Sequence, residues 1–455
     1  MPLALCVIAI LTQQALVAST TVAVARAAAI ISEGGNPFSQ LIFFCLALLF
    51  SNLPDIFIDL ERERSKYWLF NKAISRSAKA NYGATGTYFN KRIRQEKEPY
   101  IDTELWITIS DNVTYAADLF ATLANIVLNT AAVASVLDAS FAIALGVAGI
   151  ISLASSGLSF SLIGSKTKRA QSARAKLFSA IRHCIPNTWI GNARNYHDWE
   201  HDFLQKSIES TRTQATLSLT RSGLSAATTI ISSTPFILTT MGYTAAHASN
   251  LPAMTTLIAV LPRQVSILQN MNVIVVYAAQ FSERIARTRL VYSNLILRPE
   301  ERDARGSIRW DELRLCSAGN GAEMACPREI SDIDTATHSF SKGRLTIRGT
   351  NGCGKSTLLT QLKEMLGDRA YLLPANPALF YPSLVDKEAS SGQAVSRILD
   401  LIEDGYLDES VDVILLDEWD ANLDDTMRTF HDEKLDELAK GKCVIEVLHN
   451  KHGLE

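Results

Sequence analysis

The chain has 455 residues, of which 20% are charged and 47% hydrophobic, and a net charge of −3. That length allows two or three domains, and the charge balance lacks the basic excess of a nucleic-acid-binding protein, so no nucleic-acid partner is expected. Seven cysteines, at 6, 45, 184, 316, 326, 353 and 443, show neither metal-ligand spacing nor a dense framework, which suits a reducing compartment around the soluble parts.

In chain order, residues 3–25 carry no charged side chain and are long enough to span a bilayer. A cleaved signal peptide is the competing reading. The lack of a basic n-region and the length of the apolar run favour a membrane helix over about 3–31. After the turn Ser32–Pro37, a second helix is predicted over 38–60, charge-free until Asp55 and Asp59 mark its exit. A polar stretch over about 60–111 is rich in Lys and Arg, from Arg62 to Lys97. Two further helices, 113–137 and 139–165, turn at Asp138, and a second basic stretch runs from Lys166 to about residue 212. The last pair, 215–241 and 252–280, is joined by Tyr243–Leu251.

The three short connections contain no Lys or Arg, while the two long ones hold many. By the positive-inside rule the long connections and both ends of this region face the cytoplasm. Six buried helices of a soluble all-α domain would show neither the charge-free length nor this asymmetry. Asp118 and Arg263 stand out as ionisable residues within apolar spans, where charge is expensive and tends to face a cavity or a partner. Their depths are compatible with a pair lining a translocation cavity. The alternative is that the helix limits are off by a turn and both lie near an interface. Small residues fill Ser152–Ser165 and Ser222–Thr240, which favours close helix packing over a semi-polar cavity.

The last third carries the chemistry. Gly349-Thr350-Asn351-Gly352-Cys353-Gly354-Lys355-Ser356-Thr357 fits the pattern G-x-x-x-x-G-K-[ST] at every fixed position. A short strand, Leu345–Arg348, precedes it and an apolar-periodic helix to about Leu366 follows. Glycines there let backbone N–H groups turn inward around a phosphate chain, and the helix start adds partial positive charge. Lys355 is expected to reach the β and γ phosphates, and the Ser356 hydroxyl to hold Mg²⁺. Cys353 occupies a variable position, where nearby positive charge would make its thiol sensitive to alkylation. Val411–Glu418 reads as a buried strand ending in two carboxylates. Asp417 would bind Mg²⁺ through water, and Glu418 would act as general base on the attacking water. Ser390-Ser391-Gly392-Gln393 opens a helical pattern through Ile402, and the strand Val444–Leu448 ends at His449, placed to touch a γ-phosphate.

In order and spacing these pieces resemble an ABC-transporter nucleotide-binding domain. Gly349–Thr357 is similar to its Walker A, Ser390–Gln393 to its signature, Leu415–Glu418 to its Walker B with catalytic glutamate, Ala421–Asp424 to its D-loop and His449 to its switch histidine. There are departures. Ala375 stands where the family has a glutamine, with Asn376 beside it as a substitute, and only about ten residues separate Phe380 from Ser390, too few for the family's helical subdomain at ~1.5 Å per residue. The adenine-stacking aromatic has no clear counterpart; Trp310 is a candidate if the intervening segment is looped.

With the membrane spans, the resemblance extends to an exporter-type half-transporter. The expected fold is a multi-domain membrane protein, an all-α six-helix transmembrane domain (1–295) followed by an α/β P-loop ATPase domain (300–455) with a shortened helical subdomain. In that family short coupling helices at the tips of the long loops press on the ATPase domains, which would place them near Tyr100–Trp106 and Pro186–Gly191. The resemblance implies ATP and Mg²⁺ as cofactors, a homodimer or a heterodimer with a related half-transporter, and a multi-pass location in a bacterial plasma (inner) membrane, with the ATPase domain cytoplasmic. The implied activity is ATP-driven export of a peptide, lipid or other amphiphilic substrate by alternating access. The alternative is an ATP-binding, weakly hydrolysing subunit that regulates or completes a heterodimeric transporter.

Overall fold

The computed structural model describes residues 2–297, 308–317, 323–325, 327–330, 332, 342–375, 379–382, 391–421 and 423–448. They fall into two compact units, Met1–Ala73 with Glu104–Tyr292, and Ile74–Thr103 with Ser293–Glu455.

The first unit is helical. It is built from α1 (Pro2–Ser32), α2 (Phe38–Phe50), the first part of α3 (Leu53–Asn81), α6 (Leu105–Val136), α7 (Ala139–Ile181), the short α8 (Cys184–Trp189), α9 (Ala193–Ala246) and most of α10 (Leu251–Leu295). Each of the six predicted spans falls in helix. The second is broken at Ser51–Asn52, just before Pro54, which has no N–H to continue the ladder. Among the described residues five helical stretches are long and apolar enough to cross a membrane, and α7 contributes the shorter apolar stretch Ala139–Ser155. Only 17–33% of the most apolar window of each of the five is buried. Large apolar side chains on these stretches, including Phe43, Leu49, Ile56 and Val127, are exposed, the inverse of a soluble bundle.

The inner face is made of small and branched side chains. Ala25, Val133, Phe141, Leu145, Ala148, Leu257 and Ile267 form one buried cluster, and Cys6, Ile10, Ile58 and Ala124 form another. Ser152, Thr228 and Ser232 are buried, in line with their predicted packing role. The expected Asp118–Arg263 pair does not form. Asp118 meets Arg62 at 3.4 Å, and Arg62 also meets Asp59. Arg263 Nε instead donates to Thr21 Oγ1 at 3.0 Å, lining a pocket of about 320 Å³ with Thr20, Phe44 and Ser266. Asp118 lies within reach of the first charged turns of α3, and that neighbour neutralises it.

The second unit holds a six-stranded sheet: β1 (Arg314–Ser317), β2 (Glu323–Ala325), β3 (Gly343–Arg348), β4 (Ala370–Leu373), β5 (Val413–Asp417) and β6 (Cys443–Val447), in the order β2-β1-β3-β6-β5-β4. The pairs β3–β6, β6–β5 and β5–β4 are parallel, while β1 runs antiparallel to both β2 and β3. Helices α11 (Lys355–Leu366), α12 (Ser391–Glu403) and α13 (Asp425–Leu438) accompany the parallel strands. Val413 and Leu415 enter one core with Leu358, Leu359 and Leu362, while Ile414 and Leu416 enter the other with Leu399 and Leu435. Both faces are covered, which explains why β5 is continuously apolar up to Asp417.

This unit also contains the tip of the first long connection, α4 (Thr85–Phe89) and α5 (Lys91–Pro99). The Gly86 N–H donates to Glu364 Oε1 of α11 at 2.7 Å, and the Tyr82 hydroxyl donates to Asp368 at 3.0 Å. The tip expected near Tyr100–Trp106 is therefore at Thr85–Phe89. Pro99 does not turn the chain. The helix passes it through a π-helical stretch, Tyr100–Glu104, whose wider register absorbs the missing N–H. The second expected tip, Pro186–Gly191, coincides with α8 and exposes Ile185, Trp189 and Ile190. Ser77 and Asn81 both donate to the Leu295 carbonyl at 2.7 Å, and Lys97 donates to Asn294 at 3.0 Å, tying the hairpin to the end of α10.

Candidate nucleotide site

The glycine loop leaves β3 at Arg348 and enters α11 at Lys355. Gly352 has φ +80° and Gly354 φ +102°, conformations open to glycine at no steric cost. Gly349 is required for a different reason. A Cβ there would lie 2.7 Å from Cys353 Sγ and 2.8 Å from the Glu312 carbonyl oxygen. Cys353 is fully buried beneath the loop. The expected alkylation sensitivity is not supported, because the thiol is packed in the sheet core rather than presented to solvent.

Asn351, Gly352, Gly354, Lys355, Ser356, Thr357 and Glu418 line one pocket of about 520 Å³. Lys355 Nζ donates to the carbonyls of Gly349 at 2.9 Å and Thr350 at 3.3 Å, so the ammonium is held across the loop. At the base, Ser356 Oγ donates to Asp417 Oδ1 at 2.9 Å. Burial pushes the Asp417 carboxyl up to about 6, Ser356 and Lys355 pull it down, and Glu418 adds to the rise. A hydroxyl and a buried carboxylate, all oxygen, form a donor set that suits Mg²⁺.

Glu418 has φ +46°, a left-handed conformation that costs a non-glycine residue roughly 1–3 kcal/mol. Its N–H donates to the Val447 carbonyl at 2.8 Å, and the next residue, Trp419, is buried and donates through Nε1 to Glu446 Oε2 at 2.9 Å. These contacts fix the turn that aims Glu418 at the pocket.

The sequence reading missed the network beneath that turn. Arg344 of β3 donates to both oxygens of Glu446, at 3.0 and 2.8 Å, and to Asp432 and Asp436 of α13, while Thr346 donates to Glu446 at 3.0 Å. Burial alone would lower the Arg344 pKa; Glu446, with Asp436 and Asp432, more than reverses this and holds the guanidinium charged. The available signal was one carboxylate inside the apolar run Cys443–Val447.

Trp310 sits in a short turn with Glu312, half-buried against the sheet core. That turn is joined to the loop by the Arg309 N–H to the Cys353 carbonyl at 2.9 Å, and by Thr350 to Glu312. Ser391 and Gly392 begin α12, and Gln393 is exposed on its first turn. Ser390, Asn376, Asn422 and His449 lie outside the described residues.

No family model matches the chain, and no curated protein matches it. Among solved structures it is similar to that of a bacterial Atm1-family ABC exporter with ATP bound, with a TM-score of 0.54 and 13% identity over 97% of this chain and 90% of the other. At that identity the likeness is one of fold: a membrane-capable helical region with a small mixed sheet at its C-terminal side.

Proposed function

We propose that the chain is an exporter-type half-transporter, with a translocating part at 1–295 and an ATP-binding part at 300–455, that couples ATP hydrolysis to export of a peptide, lipid or other amphiphile. The observation that carries this reading is the Ser356–Asp417 pair at the base of the pocket formed by Asn351–Thr357 and Glu418. It occurs in a chain that has five membrane-capable helical stretches among its described residues and a fold similar to that of an ABC exporter.

In this reading the backbone N–H groups of Gly349–Gly354 and the Lys355 ammonium bind the phosphate chain, which the helix start of α11 favours. Ser356 and Asp417 would hold Mg²⁺, whose chemistry is to neutralise charge on the β and γ oxygens. Glu418 accepts the proton of the attacking water. His449 contacts the γ-phosphate as a switch, and Trp310 is the candidate adenine platform. The Ser390–Gln393 segment of one chain closes on the loop of a second, so the working unit is a homodimer or a heterodimer with a related half-transporter. Closure and reset alternate two states of the membrane helices, driven by differential binding of ATP. The location is a bacterial plasma (inner) membrane with the ATP-binding part in the cytoplasm.

Ala375 favours a second reading, an ATP-binding subunit with little hydrolysis, because it stands where the family that the chain resembles has a glutamine. One experiment separates the two: ATP turnover by the purified chain in lipid nanodiscs, beside Lys355→Ala and Glu418→Gln. Turnover lost in both variants supports a self-sufficient pump. ATP binding without turnover in the wild type supports the second reading.

A further inference from the structure

The described residues contain a group of three metal-competent side chains outside the nucleotide pocket. Asp400 and Glu403 lie at i, i+3 on α12, and so on one face of it, and His431 comes from the facing helix α13. Each offers one atom, and the three atoms lie within 4.8 Å of one another. His431 is completely buried. Its Nε2 is hydrogen-bonded to Ser396 Oγ at 2.8 Å, and its Nδ1 has no hydrogen-bond partner among the described residues. That nitrogen lies 3.5 Å from Glu403 Oε1. Glu403 Oε1 is likewise buried without a hydrogen-bond partner, while its sister oxygen accepts from Lys434 Nζ at 2.7 Å.

We infer that Asp400, Glu403 and His431 form a binding site for a divalent cation of the zinc type, clamping the end of α12 to α13. The geometry fits. Ligands about 2.0–2.1 Å from a tetrahedral ion stand about 3.3–3.5 Å apart, the separation of Nδ1 and Oε1. If Nε2 carries the proton and donates it to Ser396, the Nδ1 lone pair is free for a metal, and Ser396 is the outer-shell partner that metal-binding histidines characteristically have. Lys434 occupies the second oxygen of Glu403 and leaves the first available. One imidazole and two carboxylates, with a fourth position for water, select a zinc-type ion over Mg²⁺ or Ca²⁺, which take oxygen ligands alone. At 3.5 Å the two groups are close enough for an ion pair if the imidazole is protonated, yet neither atom has a hydrogen-bond partner among the described residues. The inference is independent of the nucleotide reading. It gains significance there because α12 starts at Ser391, so a clamp at Glu403 fixes the far end of the helix that presents Ser391–Gln393.

The test uses the full chain in nanodiscs, stripped with chelator and titrated with Zn²⁺ in competition with a chromophoric zinc chelator, ATP omitted. One zinc per chain is expected, with a zinc-edge absorption spectrum of nitrogen and oxygen ligands and no sulfur. Asp400→Asn and His431→Gln should each lose that equivalent, Asp417→Asn should keep it, and Ser396→Ala should weaken it about 10-fold or more. Because His431 is buried, His431→Gln can fail to fold; the half-buried Asp400→Asn then decides by itself. Failure to bind zinc, sulfur in the ligand shell, or a zinc equivalent that survives Asp400→Asn would each overturn the site.

Discussion

The Ser356 hydroxyl, on the first turn of α11, donates to the carboxylate of Asp417 at the end of β5 over 2.9 Å. Asp417 is only 4% exposed, so this bond is made away from bulk solvent. Two residues 61 positions apart in sequence thus meet where the loop after β3 and the end of β5 come together, although β6 lies between those strands.

This pairing predicts a pH dependence. The Asp417 carboxyl is raised from 3.8 to about 6 in the fold. Between these values the folded chain binds a proton that the unfolded chain has released. Its contribution to stability is therefore complete below about 4 and is lost as pH rises through about 6, amounting to about 3 kcal/mol at most. Asp417→Asn removes the effect, so the variant should gain stability relative to wild type between pH 4 and 7. Stabilisation by Mg²⁺ with ATP should run the opposite way, growing as the carboxylate ionises. Melting points of both proteins across that range check it; parallel curves would contradict the burial argument.

Glu418→Gln keeps the shape of the turn and removes the proposed base. ATP turnover should fall by about 10²- to 10⁴-fold, while ATP affinity stays near that of wild type. Lys355→Ala should instead lose binding. Equilibrium binding of a fluorescent ATP analogue, beside phosphate release, separates the two variants.

Gly349→Ala tests the loop without touching a polar group. The added methyl would meet Cys353 Sγ and the Glu312 carbonyl below 3 Å, and the second is backbone that cannot swing away. A cost of about 1–3 kcal/mol is expected, together with lost ATP binding. Maleimide treatment of the folded wild type should leave the buried Cys353 unmodified, read by mass spectrometry of that peptide.

The parts of this site that were legible in the sequence are those set by local chemistry. The glycine loop needs backbone freedom at fixed spacing, and the strand ending at Asp417 is apolar because both its faces are covered. The limits of β3, β5, β6, α11 and α12 follow from the same patterns. What was illegible depends on partners distant in sequence. Nothing near Asp118 announces that Arg62 neutralises it rather than Arg263. Pro99 reads as a break, yet a π-helical stretch carries the helix past it and the tip forms at Thr85–Phe89. The Ser396–His431 contact and the Arg344–Glu446 pair join elements that no sequence period connects.

Arg344 and Glu446 should behave as a unit. Arg344→Met leaves the 1% exposed Glu446 carboxylate without its counter-charge, at a cost of about 3–5 kcal/mol. Adding Glu446→Gln removes the stranded charge and keeps an acceptor for Trp419, so the double variant should melt above the single one. A double variant that melts lower would mean that the charge pair is not what holds the turn carrying Glu418.

The contact from the Gly86 N–H to Glu364 is the place to test how the proposed hydrolysis would reach the membrane-capable helices. Glu364 lies on α11, the helix that begins at Lys355, and its carboxylate receives the N–H of the Thr85–Phe89 tip at 2.7 Å. Glu364→Ala leaves every residue lining the nucleotide pocket in place, so basal ATP turnover should persist. The lost bond is part-buried and is replaced by water, a loss of about 1 kcal/mol, too small to unfold the unit. If α4 transmits the state of the loop, hydrogen exchange in α3 and α6 should respond to ATP in the wild type and respond much less in Glu364→Ala. Equal responses in the two would mean that the α4 contact with α11 is structural, and would direct attention to the exposed Trp189 and Ile190 around the end of α8 as the remaining candidate for transmission.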